Sequence, residues 1–277
     1  MLGCEPEWMA LAQEIGSDKI TISSATTGLQ DPHRIEARPS LIAKARNADL
    51  LICTGADLEA GWLPLLLRKS GNSKIQVSAE GFFMATDYVL LLEQPQNLDR
   101  SEGDIHAPGN PHIQSDPHRL LEVAEALTET MQSLDPKNAS FYQNKFEQFS
   151  IKWQDSIANW EARSVNLKGT KIITYHRNWI YLQQWLGLVL VDTIEPKPGV
   201  APSSGHLARL VDNAKQQDVK FIINAAYTNS KSSKWLASRT GIPMVTLPYT
   251  IGGTDNADDI FSFFEETINL LGAVNGN

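Results

Sequence analysis

The stretch Lys171-Ile172-Ile173-Thr174-Tyr175-His176 has the form of a short buried strand that ends on a histidine. Segments of helical and strand character alternate after it. Residues 179–186, 207–216, 231–240 and 258–271 have helical patterns, and residues 188–193, 219–225 and 243–247 have strand patterns. Strands that alternate with helices of this length predict βαβ units and a parallel sheet.

The first half of the chain repeats this alternation. Its predicted strands are residues 20–24, 49–54 and 74–78, and its predicted helices are residues 6–15, 39–46, 58–68 and 120–134. Residues 94–117 are rich in Asn, Gly, Pro, Asp and His without periodicity, which predicts a long loop of the kind that is often functional. The first half therefore forms a second α/β unit.

One long helix is predicted between the two units, over residues 141–162. Large apolar side chains recur there every three to five residues: Phe141, Phe146, Phe149, Trp153, Ile157 and Trp160. Such a helix is roughly 30 Å long, and we interpret the aromatic stripe as core packing. The predicted fold is α/β with two lobes, each a mostly parallel sheet flanked by helices, joined by this backbone helix. The predicted boundaries are 1–135, 136–167 and 168–277.

Composition excludes some classes of function. The 24 Lys and Arg residues against 32 Asp and Glu residues give a net charge of −8, which argues against a nucleic-acid surface. No apolar run approaches the ~18 residues that span a bilayer. The chain opens without a basic or apolar leader, so we expect either a cytoplasmic protein or one whose secretion signal is not present in this sequence.

Two cysteines, Cys4 and Cys53, each end a short apolar run. The ends of neighbouring parallel strands lie close together, so these two could form a disulfide in an oxidising compartment. They could equally be two small buried hydrophobic residues.

Three of the six histidines lie in loop-like or strand-end contexts: His33 in Asp31-Pro32-His33, His112 in Gly109-Asn110-Pro111-His112, and His176. Imidazole is the commonest metal ligand, and three nitrogens with one open position suit zinc or a similar divalent ion. Ligands of open parallel sheets bind outside the carboxyl ends of the strands, where His176 is predicted to lie. These contexts make His33, His112 and His176 candidate ligands of one metal site, although each alone is more often a surface or hydrogen-bonded histidine.

The sequence around these histidines resembles that of the metal-specific substrate-binding proteins of ABC importers, in the cluster that binds zinc and manganese. The similar segments are Asp31-Pro32-His33 with Arg38-Pro39-Ser40, Gly109-Asn110-Pro111-His112 with Asp116-Pro117, Tyr175-His176 with Trp185-Leu186-Gly187, and Glu195-Pro196-Lys197-Pro198-Gly199. The resemblance covers essentially the whole chain.

The resemblance implies a periplasmic or extracytoplasmic, monomeric protein that holds one divalent metal ion between two lobes and delivers it to a membrane permease. His33 and His112 would come from the first lobe and His176 from the second. Manganese-selective members carry a carboxylate at the third place, so His176 favours Zn²⁺ over Mn²⁺ or Fe²⁺.

The chain departs from the family pattern at the fourth ligand. Many members place an Asp after the last strand, where this chain has Ile251, which cannot coordinate a metal. Water or Asp255 could complete the site, Glu195 could orient a ligand imidazole or simply cap a loop, and His106 could assist capture or be a solvated loop histidine. His118 and His206 are expected to be surface or capping residues.

Two other readings stay open at this point. Three histidines and a water also coordinate catalytic zinc, so a zinc-dependent hydrolase is an alternative, with Asp255 or Glu195 as the candidate base. A cytoplasmic α/β protein with incidental histidines is the other.

Overall fold

Two four-stranded parallel sheets form the centre of the fold, in a computed structural model that describes residues 1–95 and 106–276. The first sheet contains β1 (Leu2–Gly3), β2 (Ser23–Ser24), β3 (Leu51–Cys53) and β4 (Phe82–Met84), in the order β2-β1-β3-β4. The second contains β5 (Lys171–Thr174), β6 (Val189–Thr193), β7 (Phe221–Ala225) and β8 (Met244–Leu247), in the order β6-β5-β7-β8. All of these strand pairs are parallel.

Helices flank both sheets. Within the described residues they are α1 (Pro6–Gly16), α2 (Pro39–Arg46), α3 (Leu63–Ser70), α4 (Pro117–Leu134), α5 (Ala139–Ser164), α6 (Ile180–Leu186), α7 (Ser204–Gln216), α8 (Lys231–Thr240) and α9 (Ile260–Asn275). Two parallel sheets, their helices and one long connecting helix confirm the predicted fold class. The boundaries at residues 135 and 167 stay a prediction.

Local sequence signals explain where the helices begin. The Asp116 side chain accepts a hydrogen bond from the backbone N–H of His118 at the start of α4, and Pro117 occupies the first helical position. Asp259 and Ser262 form a reciprocal capping box at the start of α9. These signals place α4 directly after the segment that carries His112.

The long helix α5 has 26 residues and is therefore about 39 Å long. Its buried stripe includes Trp153, whose ring contacts Phe149 and Trp160 on the same helix and Phe261 and Phe264 on α9. The helix also packs against α1 and α4 of the first lobe. The aromatic stripe is therefore core packing that joins elements of both lobes.

The largest hydrophobic core is continuous across the lobes, because it contains Leu50 and Ile52 from the first sheet together with Ile172 and Phe221 from the second. Each sheet also has a smaller hydrophobic cluster of its own, on its outer face. A continuous core and a shared helix restrict the relative motion of the lobes.

The predicted strand at residues 74–78 is wrong. A short 3₁₀ turn at Ser73–Ile75 buries Ile75 there, and the strand that pairs with β3 is β4, which follows Gly81. A Cβ at Gly81 would lie 2.2 Å from the Asp49 carbonyl oxygen, so only glycine allows the chain to enter the sheet at this point.

Other element boundaries also differ from the prediction. The first-half strand at 20–24 is reduced to Ser23–Ser24, and the helix predicted from residue 58 begins at Leu63 after a series of turns. Of the predicted loop at 94–117, residues 96–105 lie outside the described residues. In the described part of the chain, the structure contains no helix with the combination of length and apolar character that crossing a bilayer requires.

Candidate metal centre

His176 lies two residues beyond the end of β5. In the second sheet, β6 lies on one side of β5 and β7 lies on the other, so the direction of the strand order reverses at β5. This is the topological switch point, at which the loops after neighbouring strands separate and leave a crevice. Its ring is half-buried and is aimed by Glu195, which follows β6.

His112 is contributed by the first lobe. It ends the segment Asn110-Pro111-His112, is 1% exposed, and precedes the capped start of α4. The Asn110 side chain accepts a hydrogen bond from the backbone N–H of His112 at 3.1 Å, which holds the turn in place.

His33 lies in a turn after β2. The Asp31 carboxylate accepts two hydrogen bonds from it, one from the backbone N–H at 3.1 Å and one from Nδ1–H at 2.8 Å. An Asx turn of this kind orients the imidazole through the residue two positions earlier in the chain. The Trp62 indole donates to the Pro32 carbonyl at 2.8 Å and anchors the turn from below.

The structure brings the three histidines that the sequence singled out to one point. One ligand nitrogen from each of His33, His112 and His176 lies within 4.8 Å of the other two. The ring centroids are 5.5, 6.1 and 5.6 Å apart for the three pairs. Among the described residues, no carboxylate oxygen belongs to this group of three converging nitrogens.

Each of these imidazoles has an outer partner on Nδ1. The pairs are His33 with Asp31 at 2.8 Å, His112 with the Tyr249 hydroxyl at 2.7 Å, and His176 with Glu195 at 2.7 Å. A partner that accepts from Nδ1–H leaves the Nε2 lone pair free and selects the tautomer that binds a metal through Nε2. The acceptor-only carboxylates therefore orient His33 and His176 for coordination through Nε2, and the Tyr249 hydroxyl, which can also accept, allows the same orientation of His112.

A fourth imidazole, that of His106, lies beside this group of three. Its Nε2 lies 3.3 Å from Nε2 of His33, and its ring centroid is 6.0 Å from that of His112. Zinc–nitrogen bonds of about 2.0–2.1 Å in a tetrahedron place neighbouring nitrogens about 3.3–3.4 Å apart. His106 is half-buried and hydrogen-bonds to the backbone of Ala56, so it is not a freely solvated loop histidine, and its role in metal capture stays a prediction.

Two of the imidazoles, those of His106 and His112, have a lowered pKa, which favours the neutral form that a metal requires. Burial, together with the neighbouring His33 and His176 rings, lowers the pKa of His106 to about 4. Burial lowers the pKa of His112 well below its usual value, and the same neighbours add to the effect. Neutral imidazoles bind a cation without first releasing a proton.

Asp255, the candidate fourth ligand from the last loop, does not reach the centre. Ile251 is buried in the hydrophobic core, and Asp255 is exposed in the loop before α9, outside the group of converging nitrogens. The same loop instead contributes Tyr249, the partner of His112. The Glu195 carboxylate accepts hydrogen bonds from both His176 Nδ1–H and the Gly199 N–H. It therefore both orients the His176 imidazole and caps the loop that follows β6.

Of the two remaining histidines, His118 is exposed on α4 and contacts Glu161 at 2.9 Å, as expected for a surface residue. His206 is 9% exposed and lies 3.0 Å from the Thr193 carbonyl oxygen, so it links α7 to β6. Cys4, the residue after β1, and Cys53, the last residue of β3, form a disulfide.

A cluster of three buried carboxyl groups lies behind the metal centre. Glu5, Glu7 and Glu59 are each at most 2% exposed. Glu5 and Glu59 hydrogen-bond to each other, and Thr54 donates to Glu5 at 3.0 Å. Burial raises the pKa of Glu7 and that of Glu59 to about 7.

Glu7 crosses between the lobes, because its carboxyl group accepts a hydrogen bond from the Thr250 hydroxyl of the second lobe. Its pKa is about 7 when folded and 4.5 in an ordinary environment. Between these values the folded protein retains a proton that the unfolded chain has lost. The free energy of unfolding of the metal-free protein should therefore fall by about 3 kcal/mol as the pH rises from about 4.5 to 7.

Glu7→Gln should remove this component, because the amide retains an acceptor for Thr250 and does not titrate. Urea unfolding of both metal-free proteins at several pH values measures the contribution of Glu7 as the difference in the free energy of unfolding between wild type and variant. The contribution of the histidines is the same in both proteins and cancels in this difference. Identical pH profiles for the two proteins would contradict a protonated Glu7.

Tyr249→Phe should lower metal affinity about 10- to 100-fold, the usual cost of losing an outer partner of a ligand histidine. The hydroxyl is the only partner of His112 Nδ1 in the described residues, and the Tyr249 ring itself would remain in place. Tyr227→Phe is the matched control: its ring packs on Tyr249 with centroids 4.9 Å apart, but its hydroxyl contacts Asn178. Calorimetric titration of both variants with zinc separates the two roles.

Comparison with known proteins agrees with this geometry. The family model for the zinc-uptake complex component A, periplasmic (ZnuA), matches residues 5–273. The chain is 25% identical to the high-affinity zinc uptake system protein ZnuA of Bacillus subtilis, over 83% of this chain and 71% of that protein. It is 22% identical to the zinc-binding lipoprotein AdcA of Streptococcus pneumoniae, over 83% of this chain but only 46% of that protein.

A manganese protein is also among the relatives: the substrate-binding lipoprotein PsaA of Streptococcus pneumoniae is 22% identical, over 87% of this chain and 76% of that protein. In fold, the chain is similar to a crystal structure of ZnuA, with a TM-score of 0.83, 22% identity, and coverage of 99% of this chain and 98% of that one. The family match extends over nearly the whole sequence, so this chain belongs to the family of periplasmic zinc-uptake components, ZnuA.

Proposed function

We propose that this chain captures one zinc ion with the Nε2 atoms of His33, His112 and His176, with His106 as the fourth ligand. The convergence of His33, His112 and His176, each with an outer partner on Nδ1, is the observation that supports the proposal, and the 3.3 Å approach of His106 Nε2 to His33 Nε2 supports the fourth ligand. The bound ion would then be delivered to the membrane permease of an ABC importer.

The donor set supports zinc over manganese. Imidazole nitrogens are borderline-soft ligands that suit zinc, whereas Mn²⁺ prefers carboxylate and carbonyl oxygens. The carboxylates near the site, Asp31 and Glu195, contact the Nδ1 side of the rings and are occupied there. They offset the charge of the cation without entering its coordination sphere.

The position of the site supports transport. The first lobe contributes three of the imidazoles and the second contributes His176, so separation of the lobes would break the coordination. The family is a component of metal uptake and not an enzyme, and the hydrolase alternative is not retained.

The compartment and oligomeric state are also part of the proposal. A disulfide between Cys4 and Cys53 persists in oxidising compartments, which supports an extracytoplasmic location. We propose that the protein acts as a monomer, since a site formed by two lobes of one chain needs no second copy.

Calorimetric titration of the metal-free protein with Zn²⁺, and with Mn²⁺ in competition, tests the proposal. We expect one zinc ion per chain and displacement of manganese by equimolar zinc. Absence of zinc binding would contradict the metal site, and preference for manganese would contradict the assigned ligand set.

His106→Ala tests the fourth ligand. Three imidazoles and a water would remain, so zinc should still bind with unchanged stoichiometry but about 10- to 100-fold more weakly, and the preference over manganese should narrow. His206→Ala, a buried histidine outside the centre, is the control. An unchanged affinity for His106→Ala would show that water completes the coordination.

A further inference from the structure

A second set of contacts joins the two lobes at the mouth of the metal cleft. Glu93 and Asn110 belong to the first lobe, and Arg177 follows His176 in the second. The Arg177 guanidinium forms an ion pair with the Glu93 carboxylate. One Asn110 amide nitrogen donates both to Glu93 at 3.0 Å and to the Arg177 carbonyl at 2.8 Å. We call these three residues the interlobe clasp.

The polar groups of Asn110 are all engaged, which makes it the centre of the clasp. Its backbone N–H donates to the Leu92 carbonyl at 2.8 Å, and its own carbonyl accepts from the Tyr181 hydroxyl at 2.5 Å. The same hydroxyl accepts from the Leu92 N–H at 3.0 Å. Tyr181 lies on α6, so two residues of the second lobe, Tyr181 and Arg177, hydrogen-bond to Asn110.

The clasp is adjacent in the chain to three of the four imidazoles. Asn110 lies two residues before His112, and Arg177 immediately follows His176. Gly109, which precedes Asn110, hydrogen-bonds back to the His106 carbonyl at 3.2 Å. Opening the clasp would therefore loosen ligands from both lobes at once.

The clasp also borders the route to solvent. A cavity of about 380 Å³ in front of the imidazoles is lined by Glu93, Asn110 and Arg177 as well as by His106, His112 and His176. Glu93 adopts a φ of +54°, a left-handed conformation that non-glycine residues rarely adopt and that is concentrated at functional sites. The ion pair is partly exposed, with 48% of the Arg177 side chain and 26% of the Glu93 side chain accessible.

We infer that the Glu93–Asn110–Arg177 clasp holds the lobes together over the bound ion and sets the rate at which the metal dissociates. This inference rests on the proposed metal site. A partly exposed ion pair is a weak and salt-sensitive contact, which suits a carrier that must release its cargo. The clasp slows release without making binding irreversible.

Zinc dissociation into excess chelator, followed by stopped flow, tests the clasp. Glu93→Gln and Arg177→Gln should each accelerate dissociation about two- to five-fold, and the double variant should add little, because either change breaks the same pair. Raising the ionic strength should accelerate release from the wild type more than from the variants. Stoichiometry and the thermal midpoint of the metal-free protein should stay unchanged.

Glu265→Gln is the matched control, since Glu265 forms a similarly exposed ion pair with Arg163 away from the cleft. Equal dissociation rates in wild type and clasp variants would overturn the clasp while leaving the metal site intact. Fully multiplicative effects in the double variant would also overturn it, because the two residues would then act separately. Failure of the wild type to bind zinc would instead contradict the proposed function itself.

Discussion

Replacing His112 and His176 together by alanine is expected to abolish tight zinc binding. Each substitution alone should weaken affinity by more than about 100-fold, since loss of an outer partner by itself costs up to about that factor. The two residues come from different lobes, so the double variant would leave no bridge between the lobes through the metal. Calorimetry should show no saturable zinc binding in the micromolar range.

Thermal unfolding provides an independent readout of the same change. A ligand that binds only the folded state, present at 1,000 times its Kd, stabilises by about 4 kcal/mol, so zinc should raise the unfolding midpoint of the wild type. The double variant should show no such increase. His118→Ala, an exposed histidine paired with Glu161, is the control and should bind zinc as the wild type does. Unchanged zinc affinity in the double variant would mean that these histidines are incidental.

Removing the disulfide is expected to cause the largest loss of stability. Cys4 and Cys53 are separated by 49 residues, and a cross-link that closes a loop of this size stabilises by about 4 kcal/mol in the chain-entropy description. Cys4→Ala with Cys53→Ala should lower the free energy of unfolding by about that amount in urea titrations. Both residues are fully buried in the first sheet, so we expect no gain in solvation of these side chains to offset the lost free energy of unfolding.

A thiol titration of the denatured wild type is the accompanying check, and it should find no free cysteine. The single variant Cys4→Ala should be about as unstable as the double variant, because either change removes the cross-link. A loss of less than about 1 kcal/mol would show that the cross-link contributes little to folding. The zinc stoichiometry of the double variant should be unchanged, since neither sulfur contacts the imidazoles.

Much of the secondary structure was predictable because it depends on neighbours in the chain. The helices Pro39–Arg46 and Lys231–Thr240 have the predicted bounds, since proline at a first turn and glycine after a last turn are local signals. The strand at residues 74–78 was wrong for the opposite reason. Short strands are selected by their partners, and the need for a glycine against the Asp49 carbonyl is visible only in the folded sheet.

The site divides in the same way. His33, His112 and His176 could be identified from their segments, and the Asp31 partner of His33 could have been, because it lies two residues earlier in an Asx turn. Tyr249 could not: it is 137 residues from His112, and nothing in its own segment marks it as a partner. The loop pattern around His106 left its role open, and only the folded chain shows that its Nε2 lies 3.3 Å from that of His33.

The sequence by itself determined the alternation of strands and helices, the long aromatic helix and the identity of three imidazoles. The first two follow from periodicity and capping, which act over a few residues, and the three imidazoles were singled out by their residue chemistry together with the family resemblance of their segments. The tertiary structure alone decided which groups face the Nδ1 atoms, which further imidazole lies next to His33, and how Glu93, Asn110 and Arg177 join the lobes. Those contacts form between segments that are distant in the chain, so packing of the two sheets, and not local preference, brings them together.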